Sequence, residues 1–297
     1  MNDSPIRLRR SALYVPASNA KALAKAKSLS CDAVIFDLED SAAPEEKGAA
    51  RERLRELLSS QARPSCEIII RINPLCSEWG TEDLLAARAM RPDGILLPKV
   101  EGPKDILAAD EALEEADAPP SVKLWAMMET SRSIVNAAAI AELACNPAAR
   151  LACLVAGIND LVKETRIAPL RENLRPWLLQ IVLAGRAAGI DVLAGVTNNF
   201  RDMEVFAKDC SDARSMGFDG KTLIHPAQIY PANAIFAPSS EELAEARGIV
   251  EAFSRPENRE KNVVALNGRM MERLHLEQAR ALIRRAQAIE ELEDSEE

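Results

Sequence analysis

The chain has few aromatic residues and very few histidines. Phe, Trp and Tyr make up only 4% of its 297 residues, although 47% of the residues are hydrophobic. The core must therefore be packed from aliphatic side chains and alanine, which favours helices that lie close against a sheet. The two histidines, His225 before a proline and His275 in a C-terminal helix, are interpreted as structural.

Long apolar runs and paired cysteines are also absent. No run approaches the roughly 18–20 residues of a membrane span, and the N-terminal sequence MNDSPIRLRR lacks the apolar core of a signal peptide. The six cysteines form no C-x-x-C pair, so zinc binding by cysteine is not expected. We therefore expect a cytoplasmic protein with reduced thiols and no membrane partner.

The charge balance is acidic, with a formal net charge of -9. Such a surface argues against general binding of nucleic acids. An anionic substrate would need a few well-placed Arg or Lys residues to overcome the overall field.

Eight short β-rich runs alternate with longer stretches rich in Ala and Glu. Near-continuous apolar strands indicate a parallel sheet that is covered by helices, and eight of them predict a closed (β/α)8 TIM barrel. A doubly wound open sheet is the alternative, which the lack of a G-x-G-x-x-G turn after the first run disfavours. The runs are 11–16, 33–40, 67–73, 94–100, 122–130, 151–157, 191–196 and 218–226, and the intervening predicted helices are 19–29, 44–59, 81–90, 103–116, 132–143, 174–188 and 202–216.

The character of the sequence changes after residue 236. We expect a catalytic barrel domain over 1–236 and a helical extension over 237–297. Within the extension, Asn267-Gly268 predicts a turn or hairpin, and a last helix is expected from about 275 to 292. The acidic tail EELEDSEE is expected to be disordered.

Reactive residues of a barrel lie where its strands end. Glu129 follows the fifth run and Asp160 the sixth, so the two carboxylates would be neighbours on the rim. Adjacent carboxylates repel, and Mg²⁺, which prefers oxygen ligands, would resolve the repulsion. The alternative is that Arg132 and Lys163 neutralise them.

Three basic residues also end strands. Arg71 can bind a substrate carboxylate in bidentate fashion, or it can form a salt bridge with the acidic cluster that contains Asp37 and Asp40. Lys99 and Lys221 raise the alternative of a Schiff-base aldolase. That chemistry needs a neutral amine, and the acidic neighbours of both lysines disfavour it.

The strand-end motifs, taken together and in order, resemble a known family. LYVPASNAKALAKA, DAVIFDLEDSAAPEEKGAAR, IIIRIN, PDGILLPKVE, MMETSRSIVNA, GINDL and GFDGKTLIHPAQI resemble the citrate lyase β-subunit-like branch of the HpcH/HpaI aldolase/citrate lyase family. The resemblance spans about residues 8–280. It implies a barrel of the phosphoenolpyruvate/pyruvate superfamily and a carbon–carbon lyase that depends on Mg²⁺ or Mn²⁺. The substrates implied are CoA thioesters such as malyl-, citramalyl- or citryl-CoA, which yield an acyl-CoA and a 2-oxo acid.

The resemblance also implies roles for individual residues. Glu129 of the M-E-T motif and Asp160 of the G-x-x-D-L motif correspond to metal ligands, and Arg71 of the R-I-N motif to a ligand of the substrate carboxylate. The D-L-E-D motif is implied to line the substrate site and to hold metal-bound water, through Asp37, Glu39 and Asp40.

The C-terminal segment of the family forms a lid that reaches a neighbouring subunit, which implies a homo-oligomer, a trimer or hexamer. Many members carry G-x-M-I-D there, with the Asp as acid/base, whereas this chain reads GRMME and places Glu272 at that position. GVTNNF also departs from the more usual G-V-Y-x-D at Thr197 and Asn199. Alternatives within this reading are a malate synthase-like or thioesterase-like reaction, an aldolase that does not use CoA, and a subunit of a citrate lyase complex.

Overall fold

The computed structural model describes residues 6–59, 63–146 and 148–296. Eight parallel strands form a closed barrel in sequential order, and β8 closes on β1 with Ser11 opposite Lys221. The predicted TIM barrel is therefore confirmed. The strands are β1 (Ser11–Pro16), β2 (Ala33–Asp37), β3 (Glu67–Arg71), β4 (Gly94–Leu97), β5 (Lys123–Met128), β6 (Leu151–Ala156), β7 (Asp191–Ala194) and β8 (Gly220–Leu223).

The barrel strands are short apolar runs that are buried on both faces. β2 and β3 read AVIFD and EIIIR, and every position in them is buried. Because successive side chains of a strand point to opposite faces, Ala33, Ile35 and Ile69 pack with the fully buried Trp125 in one cluster. Trp125 is a large, fully buried side chain in a core that is otherwise largely aliphatic.

A buried polar network closes the amino-terminal end of the barrel. The Arg9 guanidinium lies 4.9 Å from the centroid of the Trp125 ring. It also forms ion pairs of 2.8 Å with Glu67 and with Asp191, which begin β3 and β7. The opposite, carboxyl end of the barrel is therefore the end that offers a cavity.

The helices that follow the strands are α1 (Ala20–Lys25), α2 (Lys47–Ser59), α3 (Gly80–Met90), α4 (Pro103–Glu115), α5 (Ser131–Val135), α6 (Ala137–Glu142), α7 (Ile158–Thr165), α8 (Arg171–Ala188), α9 (Met203–Ser215) and α10 (Ile229–Phe236). Two differences from the sequence-based prediction matter for the site. The helix predicted over 132–143 is split at Asn136, and α7, which carries Asp160, was not predicted. Gly157 precedes α7 without a side-chain cap, so the usual signal of a helix start is missing.

A second compact unit begins at Ile235 and includes the N-terminal residues 6–8. It contains α11 (Ser240–Ser254), the hairpin β9 (Val263–Leu266) and β10 (Arg269–Glu272), and α12 (Arg273–Glu296). Asn267 and Gly268 have φ of 51° and 75°, so the predicted hairpin turn is confirmed.

The expectation of a disordered acidic tail was wrong, because α12 continues to Glu296. The segment from Arg273 to Glu296 contains no Gly or Pro and is rich in Ala, Leu, Glu and Arg, which are strong helix formers. No helix within the described residues combines the length and the apolar character needed to cross a membrane.

Closure of the barrel depends on a glycine at the start of β8. A Cβ on Gly220 would lie 1.8 Å from the Arg9 carbonyl oxygen and 2.7 Å from that of Arg10. We expect Gly220→Ala to lower the free energy of unfolding by about 1–3 kcal/mol or more, because the backbones of β1 and β8 must separate.

The matched control is Gly48→Ala on the exposed side of α2, where a Cβ meets nothing within 4 Å. This variant should be more stable by about 0.5–1 kcal/mol, because Ala favours the helix. Urea denaturation of both variants measures the difference, and equal stabilities would contradict the close approach of β1 and β8.

Candidate active site

A cavity of about 310 Å³ lies at the carboxyl end of the barrel. The charged residues that line it come from the ends of β2, β3 and β5 and from α7, which follows β6. The structure therefore brings together most of the residues that were predicted from strand ends. They are Asp37, Asp40, Arg71, Glu129 and Asp160. Glu272 lies in the second compact unit, where it ends β10 and is exposed.

Arg71 is held by three carboxylates. Its Nε and Nη2 donate to the two oxygens of Asp37 at 2.7 and 2.8 Å. Its Nη1 lies 2.9 Å from Glu39 Oε2 and 3.3 Å from Asp40 Oδ2. Of the two roles considered from the sequence, the structure therefore shows the salt bridge of Arg71 with Asp37 and Asp40. The Arg71 guanidinium also lines the cavity, where a substrate carboxylate could reach it. Burial opposes ionisation of Asp37, but the charge of Arg71 outweighs it and holds the pKa of Asp37 below its usual value.

Glu129 is a buried carboxyl at the end of β5. Its Oε1 accepts a 2.7 Å hydrogen bond from the backbone N–H of Lys99. Burial raises the pKa of Glu129 to about 7, and the charges of Glu39 and Asp160 add to the increase. Ionised Glu129 is therefore costly, and a nearby cation would relieve the cost.

A glycine lets α7 approach Glu129. A Cβ on Gly157 would lie 2.3 Å from Glu129 Cβ and 2.8 Å from its Oε2. Asp160 then follows in the first turn of α7, where the amino end of a helix favours a negative charge. The spacing of the GIND motif thus places the second carboxylate beside the first.

Lys99 is a cation that contacts Glu39 and lies near Asp160. Its Nζ donates to Glu39 Oε1 at 2.9 Å and lies 3.9 Å from Asp160 Oδ2. Burial lowers the pKa of Lys99, but the hydrogen bond and charge of Glu39 outweigh this effect and the pKa is raised. The sequence pointed to Lys99 only as a strand-end lysine; its pairing depends on where the loops after β2 and β4 meet.

The other basic residues considered from sequence lie elsewhere. Arg132 is exposed and lies 3.6 Å from Glu101 Oε2, and Lys163 is exposed on α7. Lys221 is buried and pairs with Asp209 at 2.7 Å. Lys99 and Lys221 thus each lie in an ion pair with a carboxylate.

His225 has the structural role expected of it. Its Nδ1 accepts a hydrogen bond from the Ala227 N–H at 3.1 Å, and its ring stacks on Phe200 with a centroid distance of 4.9 Å. His275 accepts a hydrogen bond from the backbone N–H of Glu272. Both histidines thus hold the chain at the start of a helical segment.

The donor set of the cavity fits a hard divalent cation. Five carboxylates lie around the cationic side chains of Arg71 and Lys99, which leaves an excess of negative charge. The five belong to Asp37, Glu39, Asp40, Glu129 and Asp160. Within the described ranges, no group of three or more His, Cys, Asp or Glu is arranged to hold a metal ion. Two carboxylates are the usual protein contribution to Mg²⁺, whose other positions are filled by water and substrate.

Comparisons with known proteins bear on this site. Residues 10–226 match the family model of HpcH/HpaI aldolase/citrate lyase. The chain is 43% identical over 282 residues to "(3S)-malyl-CoA thioesterase" of Cereibacter sphaeroides, with 94% of this chain and 95% of that protein covered. It is 33% identical over 288 residues to "Citrate lyase subunit beta" of Escherichia coli, with 95% and 94% covered.

One similar solved structure is CitE from Mycobacterium tuberculosis in complex with magnesium, acetoacetate and coenzyme A. The TM-score is 0.75 at 30% sequence identity, and the match covers 93% of this chain and 97% of that chain.

The raised pKa of Glu129 gives a test of the site without any substrate. The unfolded chain loses this proton near pH 4.5, whereas the folded chain keeps it until about pH 7, so the stability of the metal-free protein falls as the pH rises between these values. Glu129→Gln removes this cost and still accepts the Lys99 hydrogen bond. In EDTA at about pH 8 we expect the variant to be more stable by roughly 2 kcal/mol, with little difference near pH 4.5.

Denaturation at both pH values measures the effect. The control is Glu101→Gln, the same substitution at an exposed rim residue, which should show no such gain. A Glu129→Gln variant that is less stable than the parent at the higher pH would contradict the assignment of Glu129 as a strained, buried acid.

Proposed function

Because the chain belongs to the HpcH/HpaI aldolase/citrate lyase family, we propose that it is a Mg²⁺-dependent enzyme that acts on the CoA thioester of a 3-hydroxy acid such as malyl-CoA. The observation that carries the proposal is the pair of adjacent carboxylates, Glu129 and Asp160, in a cavity with excess negative charge. The magnesium and coenzyme A in the CitE structure support the same cofactor and substrate class.

Glu129 and Asp160 would hold the ion, and Mn²⁺ would suit the same oxygen donors. When bound, the ion supplies Lewis-acid polarisation of a substrate oxygen. The remaining roles belong to side chains of this chain.

Arg71 would bind the free carboxylate of the substrate. Asp37 fixes the plane of the guanidinium by its two hydrogen bonds, and Glu39 joins Arg71 to Lys99. Asp40 is the partner that a substrate can replace, because its side chain is 63% exposed and its contact with Nη1 is the longest of the three ion pairs. The substrate carboxylate would then take the place of Asp40 beside Nη1.

For the reaction itself, we propose hydrolysis of the thioester to malate and free CoA. Relatives named (3S)-malyl-CoA thioesterase, at 42–43% identity, favour it. Water adds to the thioester carbonyl carbon, the carbon–sulfur bond breaks, and the departing sulfur takes up a proton. Glu272, supplied by the C-terminal unit of a neighbouring copy in a homo-oligomer such as a trimer or hexamer, would move that proton.

Cleavage of the carbon–carbon bond is the second candidate. Relatives named citrate lyase subunit beta, at 31–33% identity, favour it. Malyl-CoA would then give acetyl-CoA and glyoxylate, with the proton of the hydroxyl group removed and a proton delivered to the new methyl group. The same names also favour a role as one subunit of a larger lyase complex.

A product assay on the purified chain with malyl-CoA separates these reactions. We expect malate and free CoA in the presence of Mg²⁺, and no turnover in EDTA or with Glu129→Ala, whose fold is checked by circular dichroism. Acetyl-CoA with glyoxylate would identify the lyase reaction instead. Full activity of Glu129→Ala in EDTA would contradict a metal-dependent reaction at this site, and inactivity until partner proteins are added would indicate a complex subunit.

Glu272 is tested by separating proton transfer from metal binding. Glu272→Gln should lower kcat by about 10²–10⁴-fold, the usual contribution of a general acid or base, and leave the affinity for Mg²⁺ unchanged. Glu272→Asp keeps the carboxylate with a shorter reach and should retain more of the activity. A Glu272→Gln variant with the kcat of the parent would remove this residue from the reaction.

A further inference from the structure

We infer that Lys99 is a positioning residue: its ammonium acts as an internal cation that shares carboxylates with the divalent ion and thereby limits how tightly the site holds that ion. The inference rests on the proposed function, because it concerns the same metal site. It is supported by a separate observation, the contacts of Lys99 with the carboxylates of Glu39, Glu129 and Asp160.

The backbone of Lys99 is held in an unusual conformation. Its φ is 51°, in the left-handed region that residues with a Cβ seldom adopt. In this conformation the N–H donates to Glu129 Oε1 at 2.7 Å, while the side chain extends to Glu39. Backbone strain of this kind persists where surrounding contacts determine it, and such positions cluster at functional sites.

The ammonium lies between the metal carboxylates and the acidic cluster of β2. Nζ is 2.9 Å from Glu39 Oε1 and 3.9 Å from Asp160 Oδ2. The carboxylate of Glu39 also contacts Arg71 through its other oxygen, at 2.9 Å. Lys99 is thus connected to both halves of the site: by its backbone and its ammonium to the two proposed metal ligands, and through Glu39 to the arginine.

Other basic residues do not take this position. The guanidinium of Arg71 faces Asp37, and Arg132 lies on the rim with Glu101. Lys163 is on α7 like Asp160 but is exposed to solvent. In the part of the chain that the structure describes, Lys99 is the cation whose ion pair reaches Asp160.

The ammonium of Lys99 stabilises the fold when no divalent ion is bound, and it weakens the binding of that ion. Without a metal ion, the ammonium offsets the mutual repulsion of Glu39, Glu129 and Asp160 and so stabilises the fold. With a metal ion, it repels the ion and competes for Asp160. A purely structural lysine would behave differently, because its loss would disorder the ligands and weaken metal binding.

The experiment measures Mn²⁺ affinity by electron paramagnetic resonance, with Mg²⁺ as the competing ion, in the full-length protein. Lys99→Met should bind Mn²⁺ about tenfold more tightly, since a monovalent and a divalent charge a few ångströms apart repel appreciably even at the dielectric constant of water. The same variant should melt at a lower temperature in EDTA. Lys99→Arg keeps the charge and should bind Mn²⁺ within a few-fold of the parent.

Two further variants make the result specific. Lys99→Gly tolerates the positive φ and keeps the N–H toward Glu129, so it should match Lys99→Met in Mn²⁺ affinity, and it replaces that variant if Met impairs folding. Lys163→Met removes a positive charge from α7 outside the site and should leave Mn²⁺ affinity unchanged.

The outcomes are distinguishable. Unchanged or weaker Mn²⁺ binding by folded Lys99→Met or Lys99→Gly overturns the inference, provided that the parent binds Mn²⁺ and Glu129→Gln abolishes the binding. If the parent shows no binding that depends on Glu129, the proposed function fails and this inference fails with it.

Discussion

Mutual repulsion among five carboxylates at one end of a closed barrel is the constraint on which the rest of the site depends. Parallel strands bring their carboxyl ends to one rim, and the register from β2 to β6 places acids from the ends of two strands, β2 and β5, and from one helix, α7, around a single cavity. Arg71 and Lys99 offset only part of that charge. The opposite end of the barrel has its own arginine, Arg9, which forms ion pairs with both Glu67 and Asp191. The two ends therefore differ: one is closed by an ion-pair network, and the other surrounds a cavity with an excess of negative charge.

The excess charge is maintained at a cost to stability. Glu129 is buried among other acids, and its pKa of about 7 reflects the energy needed to ionise it there. Lys99 has a left-handed backbone conformation where it contacts these acids. Residue 157 is a glycine, and its lack of a Cβ lets α7 approach Glu129. Local departures of this kind are expected at functional sites, where the surrounding fold compensates for them. The barrel provides that compensation through strands that are buried on both faces and a core that includes Trp125.

The sequence was sufficient to predict the barrel, the hairpin at Asn267-Gly268 and the convergence of strand-end acids. Apolar periodicity and turn residues are local signals, and the rule that strand ends share a rim converts them into a site. The partners within the site were less predictable. Whether Arg71 faces a substrate or Asp37, and whether Arg132, Lys163 or Lys99 neutralises the acids, depends on how loops from different strands meet. Helix α7 was missed because Gly157 precedes it without a capping side chain, and the tail was judged by its charge although its residues favour a helix.

Diffraction from a crystal soaked in Mn²⁺ tests the assignment of the carboxylate pair most directly, because anomalous scattering locates the ion without any assumption about the reaction. The account predicts one strong peak about 2.0–2.3 Å from an oxygen of Glu129 and an oxygen of Asp160. A peak elsewhere with these two carboxylates unligated, or the absence of any peak at saturating Mn²⁺ with Lys99 still in place beside Asp160, would contradict it.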